Sequence, residues 1–258
     1  MLIHDLFSLD GKVAVVVGAG GVLAGEMALA LAGAGADISV VGRSLENSEA
    51  RAQQIRSAGR RAIVAQADAA LKNDLERALQ ATLDEFGRVD ILVNGAGINS
   101  GTPFFDIAED EWNHILDVDL KSVFLASQVF GKHMVERGEG GSIINISSAS
   151  SDPPLSRVFT YSVAKGGVNQ ITKFLAREFA PHRVRVNAIL PGFFPAEQNR
   201  KILDKSRIDA ILNHTPMGRL GEPPELIGAA LLLLSPQAGS FITGQALYVD
   251  GGFNSMTI

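Results

Sequence analysis

The chain has 258 residues, 46% hydrophobic and 20% charged, a balance that suits one large buried core and excludes a disordered chain. With no cysteine, disulfides, thiolate catalysis and Cys-ligated zinc are ruled out, and a reducing, cytoplasmic setting is the expectation. The formal charge is -5 without any Lys/Arg run, so nucleic-acid partners are not expected; nor is a membrane partner, because no apolar stretch approaches the roughly 20 residues of a span and no basic leader precedes one.

In chain order, short β-branched runs alternate with longer stretches of helical period, the pattern of parallel strands joined by crossover helices. The first run, VAVVV at 13–17, leads into Gly18-Ala19-Gly20-Gly21 and a helical pattern from about Leu23 to 34. Glycines there let the backbone turn tightly toward a pyrophosphate, whose charge the amides and dipole of a helix N-terminus stabilise. The second run, ISVV at 38–41, ends in Gly42-Arg43-Ser44, where a site that grips a ribose 2′-hydroxyl would carry a carboxylate. A guanidinium in its place points to a 2′-phosphate and so to NADP(H), with NAD(H) the alternative if Arg43 is a solvated surface residue. A helix over 45–58, a strand at 62–66 and a helix over 72–86 follow; Asp68 and Ala69 lie between the last two, and Asp68 can accept from an adenine amino group or cap the helix.

The fourth strand, ILVN at 91–94, runs into Gly95-Ala96-Gly97, and one long helix is expected over 109–137. The fifth strand, at 142–146, ends in Ser147-Ser148; Tyr161 comes 13 positions after Ser148, and Lys165 four further on, in a helix predicted over 161–179. Residues i and i+4 share a helix face, so Lys165 can bring its charge near the Tyr161 phenol. A phenol of pKa about 10 needs such a cation to exchange protons near neutrality, and Ser148 can hold a substrate oxygen toward it. After a sixth strand at 185–189, the segment 191–221 breaks the alternation and is read as a substrate loop or lid. A helix over 225–234 and a strand at 246–250 complete a single doubly wound α/β domain, spanning 1–258, with a parallel sheet of about seven strands and helices on both faces. His214 has no second ligand nearby, so it is read as structural and no metal is expected.

The order GAGG, Asp68, NGAG at 94–97, Ser148, YSVAK at 161–165, PG at 191–192 and the VDGGF ending resembles the classical short-chain dehydrogenases/reductases over essentially the whole chain. The resemblance implies a Rossmann-type fold, NAD(P)(H) in an extended cleft, and a homodimer or homotetramer. It implies a cofactor site that takes in Gly18, Gly20, Gly21, Leu23, Arg43, Ser44, Asp68, Ala69, Asn94, Ala96, Gly97, Pro191, Gly192 and Phe194, with Asn94 bracing the central strands and Tyr161 and Lys165 also touching the nicotinamide ribose end. Three positions depart from the family pattern. Val22 and Ala24 stand where glycines are usual; Asp119, in VDL, replaces an asparagine that supports a proton relay; and Ala196 replaces a threonine after the PG turn. Asp119 can accept from Lys165 or a water, but it cannot donate as an amide does.

Within the family, PGFFPAEQNR, HTPMGRLGEPPELIGA and SFITG resemble mannonate oxidoreductases (fructuronate reductases), whereas gluconate 5-dehydrogenases resemble the chain better at Gly42-Arg43. A small polar substrate such as a sugar acid or polyol is expected, with Asn99 and the run Gln198-Asn199-Arg200 near it. Arg157 or Arg200 is a candidate to pair bidentately with its carboxylate, unless each is an ordinary surface arginine. Phe193 and Phe194 suit a wall better than a sugar-stacking platform. Reduction of a 3-oxoacyl thioester uses the same triad, and a catalytically weak regulatory protein that binds cofactor is the reading from another class.

Overall fold

The computed structural model describes residues 2–195 and 204–256. Seven strands form one parallel sheet in the order β3-β2-β1-β4-β5-β6-β7. They are β1 (Val13–Val17), β2 (Asp37–Gly42), β3 (Ala62–Gln66), β4 (Ile91–Asn94), β5 (Gly141–Ile146), β6 (Val184–Pro191) and β7 (Ala246–Val249). The helices are α1 (Ile3–Phe7), α2 (Val22–Gly33), α3 (Leu45–Ser57), α4 (Lys72–Phe86), α5 (Glu109–Leu116), α6 (Ser122–Arg137), α7 (Phe159–Phe179), α8 (Lys205–His214) and α9 (Ile227–Leu234). This is the doubly wound Rossmann-type domain expected from the alternation of patterns.

Because side chains alternate across a strand, β1 feeds two cores at once. Ala14 and Val16 pack in the layer with Met27 and Leu31 of α2 and Leu233 of α9. Val15 and Val17 pack on the other face with Leu75 of α4 and Phe130 and Met134 of α6. Strands buried on both faces read as continuous apolar runs, and for that reason they were recognisable in the sequence. The edge strands β3 and β7 depart from that expectation, since each is only partly buried.

The stretch expected as one helix over 109–137 is divided. The backbone N–H of Ser122 donates to the carbonyl of Asp117, an i to i+5 bond, and the widened turn Asp117–Lys121 separates α5 from α6. Such turns re-aim side chains, and here Asp119 is fully buried. Helix α2 starts at Val22, ahead of the expected Leu23, and α1 was not anticipated at all. Among the described residues no helix is long and apolar enough to cross a membrane.

The strand order reverses between β1 and β4, so the connections leaving their carboxyl ends diverge and open a crevice there. Two glycines fit this junction closely. Gly18 has φ +83°, and a Cβ on it would lie 2.7 Å from the amide nitrogen of Ala96. A Cβ on Gly95 would lie 2.6 Å from the methyl of Ala24, so the bare Gly95 makes the room that the departure at position 24 requires.

Gly95→Ala is therefore expected to lower unfolding stability by about 1–3 kcal/mol through overpacking. Ala24→Gly in the same chain should recover most of that loss, as read by a double-mutant cycle of denaturation midpoints. Additive effects would show that the two positions do not share the space.

Candidate active site

The crevice is a cleft of about 460 Å³ running across the carboxyl ends of the strands. At one end lie Gly18, Gly20, Gly21 and Leu23, with Arg43, Asp68 and Ala69 beside them; Ala96, Gly97 and Asn99 line its middle. Ser148, Tyr161, Lys165, Pro191, Gly192 and Phe194 line the other end.

Gly21 caps α2 without a side-chain hydrogen bond, so the first amides of that helix are left to a ligand. With Gly18 unable to carry a side chain, the loop leaves a concavity with free amides at the N-terminus of a twelve-residue helix, an arrangement that suits an anion such as a pyrophosphate. Arg43 is exposed and has no ion pair among the described residues, while its carbonyl accepts from Gln66 Nε2 at 3.0 Å. Asp68 Oδ1 accepts from the Ala70 amide at 2.9 Å and so fixes the turn before α4 rather than capping the helix itself, whose N-cap is Leu71.

Among the cleft residues that escaped the sequence reading are two polar ones on α3. Asn47 and Arg51, four apart on α3, both line the cleft beside the glycine loop. Arg51 lies across Gly25, where a Cβ would meet its guanidinium at 2.4 Å, and pairs with Glu26 at 3.4 Å. The i, i+4 spacing was a visible signal, although only the missing side chain at Gly25 explains why the guanidinium can lie there.

The catalytic end is positioned by buried polar bonds. Asn94 Nδ2 donates to Asn145 Oδ1 at 2.8 Å and to Ser127 Oγ at 3.2 Å, and Asn145 Nδ2 donates to Thr172 Oγ1 at 2.9 Å. This chain joins α6, β4, β5 and α7, so Asn94 sits behind the cleft and braces it. Ser147 Oγ donates to the Lys165 carbonyl at 3.1 Å, and Lys165 Nζ donates to the Ile146 carbonyl at 3.1 Å. The end of β5 and the first turns of α7 are thereby held together. Ser148 Oγ accepts from the amide and the hydroxyl of Ser150, and the Ser148 side chain lies near enough to the Tyr161 phenol to pull its pKa down.

Lys165 Nζ lies 5.4 Å from the centre of the Tyr161 ring and 3.3 Å from Asp119 Oδ2, while Asp119 Oδ1 accepts from the Ile98 amide at 2.8 Å. Burial pushes the Tyr161 phenol up, Lys165 pulls it back, and the Asp119 charge pushes it up again. For Lys165, burial alone would lower the ammonium, but Asp119 and Tyr161 beside it together outweigh that and raise it. Burial likewise raises the Asp119 carboxyl, which Lys165 only partly offsets.

Several expected site residues lie elsewhere. The Ser44 hydroxyl caps α3, accepting from the Asn47 amide at 3.3 Å, so it serves the helix and does not line the cleft. Arg157 also stands off the cleft; its exposed guanidinium is paired with Asp204 at 2.9 Å, which answers its charge without a substrate. His214 packs edge-on to the Phe253 ring at 4.5 Å, and among the described residues no cluster of His, Asp or Glu could hold a metal. Ala196, Gln198, Asn199 and Arg200 fall outside the described residues.

A family model described as enoyl-(acyl carrier protein) reductase matches residues 18–254. Two curated relatives are from Escherichia coli (strain K12). The 2-dehydro-3-deoxy-D-gluconate 5-dehydrogenase is 38% identical over 98% of this chain and 99% of its own, and the 5-keto-D-gluconate 5-reductase is 36% identical over 96% and 98%. A gluconate 5-dehydrogenase from Burkholderia cenocepacia J2315, solved in complex with NADP and tartrate, superposes with a TM-score of 0.94 at 35% identity, covering 99% of this chain and 100% of that one. By these matches the chain belongs to the short-chain dehydrogenase/reductase family and is an oxidoreductase acting on CH–OH groups.

Proposed function

We propose that this enzyme interconverts a hydroxyl and a ketone on a sugar acid with NADP(H) as its cofactor. The observation that carries the reading is one cleft with Ser148, Tyr161 and Lys165 at one end and, at the other, Arg43 where an NAD-specific site would carry a carboxylate. The relatives' gluconate-type substrates, and the NADP in the Burkholderia structure, support it.

The cradle at Gly18 and the α2 N-terminus fits the pyrophosphate, and Arg43, with Arg51 and Asn47 behind it, fits the 2′-phosphate end. When bound, NADPH supplies the hydride that becomes the new C–H bond and leaves as NADP⁺. Ser148 holds the carbonyl oxygen, and Tyr161 donates its phenolic proton to that oxygen as charge develops there. The resulting phenolate is stabilised by Lys165 until solvent returns the proton, and oxidation runs the same steps in reverse. The described residues of the segment 191–221 support its reading as a substrate loop, because Phe194 lines the cleft and Arg207 of α8 donates to the carbonyl of Ser156 at 2.7 Å.

A homodimer or homotetramer and a cytoplasmic location belong to the same reading. Phe159, Val163 and Phe174 fall within one stripe of α7 and are exposed, as is Phe124 on α6, which leaves an apolar face for a second copy. The acyl-thioester alternative draws support from the description of the matching family model. Fructuronate, implied by the resemblance to mannonate oxidoreductases, belongs in the same assay.

Nicotinamide absorbance with 5-ketogluconate, 2,5-diketo-3-deoxygluconate, fructuronate, simple ketoses and acetoacetyl thioester should show turnover on a ketoaldonate with NADPH. Turnover confined to the thioester would replace the sugar-acid reading, and cofactor binding without any turnover would favour the regulatory one. Tyr161→Phe is expected to lower kcat by about 10²- to 10⁴-fold with cofactor affinity nearly unchanged. Retained activity in that variant would remove Tyr161 from the chemistry. Arg43→Ala should raise the KM for NADPH by roughly 10- to 100-fold and leave that for NADH almost unaffected. Equal effects on both would show that Arg43 does not read the 2′-phosphate.

A further inference from the structure

The Lys165 ammonium lies in a pocket built around a second charge. Asp119 is fully buried, its Oδ2 stands 3.3 Å from Lys165 Nζ, and that oxygen has no hydrogen bond of its own. The pair is packed against bare backbone, since a Cβ on Gly97 would lie 3.0 Å from Asp119 Oδ2 and 3.5 Å from Lys165 Nζ. The widened turn Asp117–Lys121 faces the carboxylate inward, and the Ile98 amide fixes its other oxygen.

Among the described residues, the titratable groups that reach this pair are Tyr161 from α7 and the imidazole of His114 from α5, while the Ile146 carbonyl at the end of β5 accepts from Lys165 Nζ. Whichever of Asp119 and Lys165 carries the shared proton, the two together have no net charge, whereas an amide at position 119 would leave a full positive charge beside the phenol. We propose that Asp119 is a charge-balancing, positioning residue of the active site, which holds Lys165 in a neutral pair, weakens the field of that cation on Tyr161 and displaces the pH range of turnover upward.

The inference rests on Tyr161 being the proton donor of the proposed reaction, and its chemistry is a single proton exchange. In reduction the Tyr161 O–H bond breaks as the substrate O–H bond forms, and in oxidation the reverse occurs. The equilibrium constant fixes the ratio of forward to reverse kcat/KM at each pH. A change in the Tyr161 proton affinity must therefore move both profiles by the same amount, which a purely structural defect would not do. An opposite charge within about 4–6 Å shifts a titratable group by about 1–3 units, which sets the scale of the effect.

The test begins without substrate, so that it stands apart from the identity of the sugar acid. The chain has only two tyrosines, and in a Tyr248→Phe background the ultraviolet absorbance of phenolate reports Tyr161 alone. Tyr161 is expected to ionise above the ordinary phenol value of about 10 in that full-length protein, and at least about one unit lower once Asp119→Asn is added. The kcat/KM profiles with NADPH and with NADP⁺ should then move down in pH together by that interval. Coincident titrations of the two proteins, or a shift to higher pH in Asp119→Asn, would overturn the proposal. So would ionisation of Tyr161 well below the ordinary value in the Tyr248→Phe protein, a result that stands even if the Asn variant does not fold.

Discussion

The hydrogen bonds that run from Ser127 through Asn94 and Asn145 to Thr172 set the position of everything that acts in the cleft. Each of these groups is buried, so each is bound to find a partner or leave a polar atom at a penalty of about 1–3 kcal/mol. Asn94 Oδ1 alone is left without a partner, and the bonds that are made favour one register of α7 against β5. Shifting α7 by one residue would rotate Thr172 away from Asn145 and carry Tyr161 away from Ser148. Catalytic geometry is thus inherited from the centre of the sheet, and Ser147 and Lys165 add two more bonds between the same elements. Helix α7 is long because it performs both tasks, with its first turns at the cleft and its third and fourth turns in the core.

How much could be read from the chain follows from which interactions are local. Strands with both faces buried appear as apolar runs, and the i, i+4 relation of Tyr161 and Lys165 survives any tertiary packing. Other features depended on partners far away in sequence. Arg157 has the right chemistry for a carboxylate, but Asp204, 47 positions later, meets it. Ser44 likewise offers a hydroxyl near a nucleotide site, yet the competing demand of an α3 amide takes it. The widened turn at 117–121 was not marked by the apolar pattern, although its two aspartates and a valine are weak helix formers, and it brings Asp119 to face Lys165.

Departures in the glycine loop show how a binding geometry can tolerate altered residues. A glycine at position 24 would let α2 sit close to β4 by lacking a side chain, and here the methyl of Ala24 occupies that space because Gly95 has vacated it. The distance between helix and strand is set by one Cβ in either arrangement. Val22 has no such counterpart, and it is partly exposed at the first turn of α2, where its side chain narrows the approach to the helix amides without blocking them. The backbone donors of Val22, Leu23 and Ala24 are independent of side-chain identity, so the altered sequence pattern leaves the helix amides in place.

At the substrate end, the bonds that join α8 to the loop after β5 are of another kind from those in the core. Arg157 to Asp204 and Arg207 to Ser156 are exposed, and Asp204 is held well below the usual carboxylate range by Ser206, Arg157 and the Arg207 amide. Exposed contacts of this kind contribute little free energy, because water competes for both partners. They specify where α8 docks without making the docking expensive to undo. The polar bonds that hold α7 to β5 are buried and costly to break, whereas those that hold α8 lie where solvent keeps them weak.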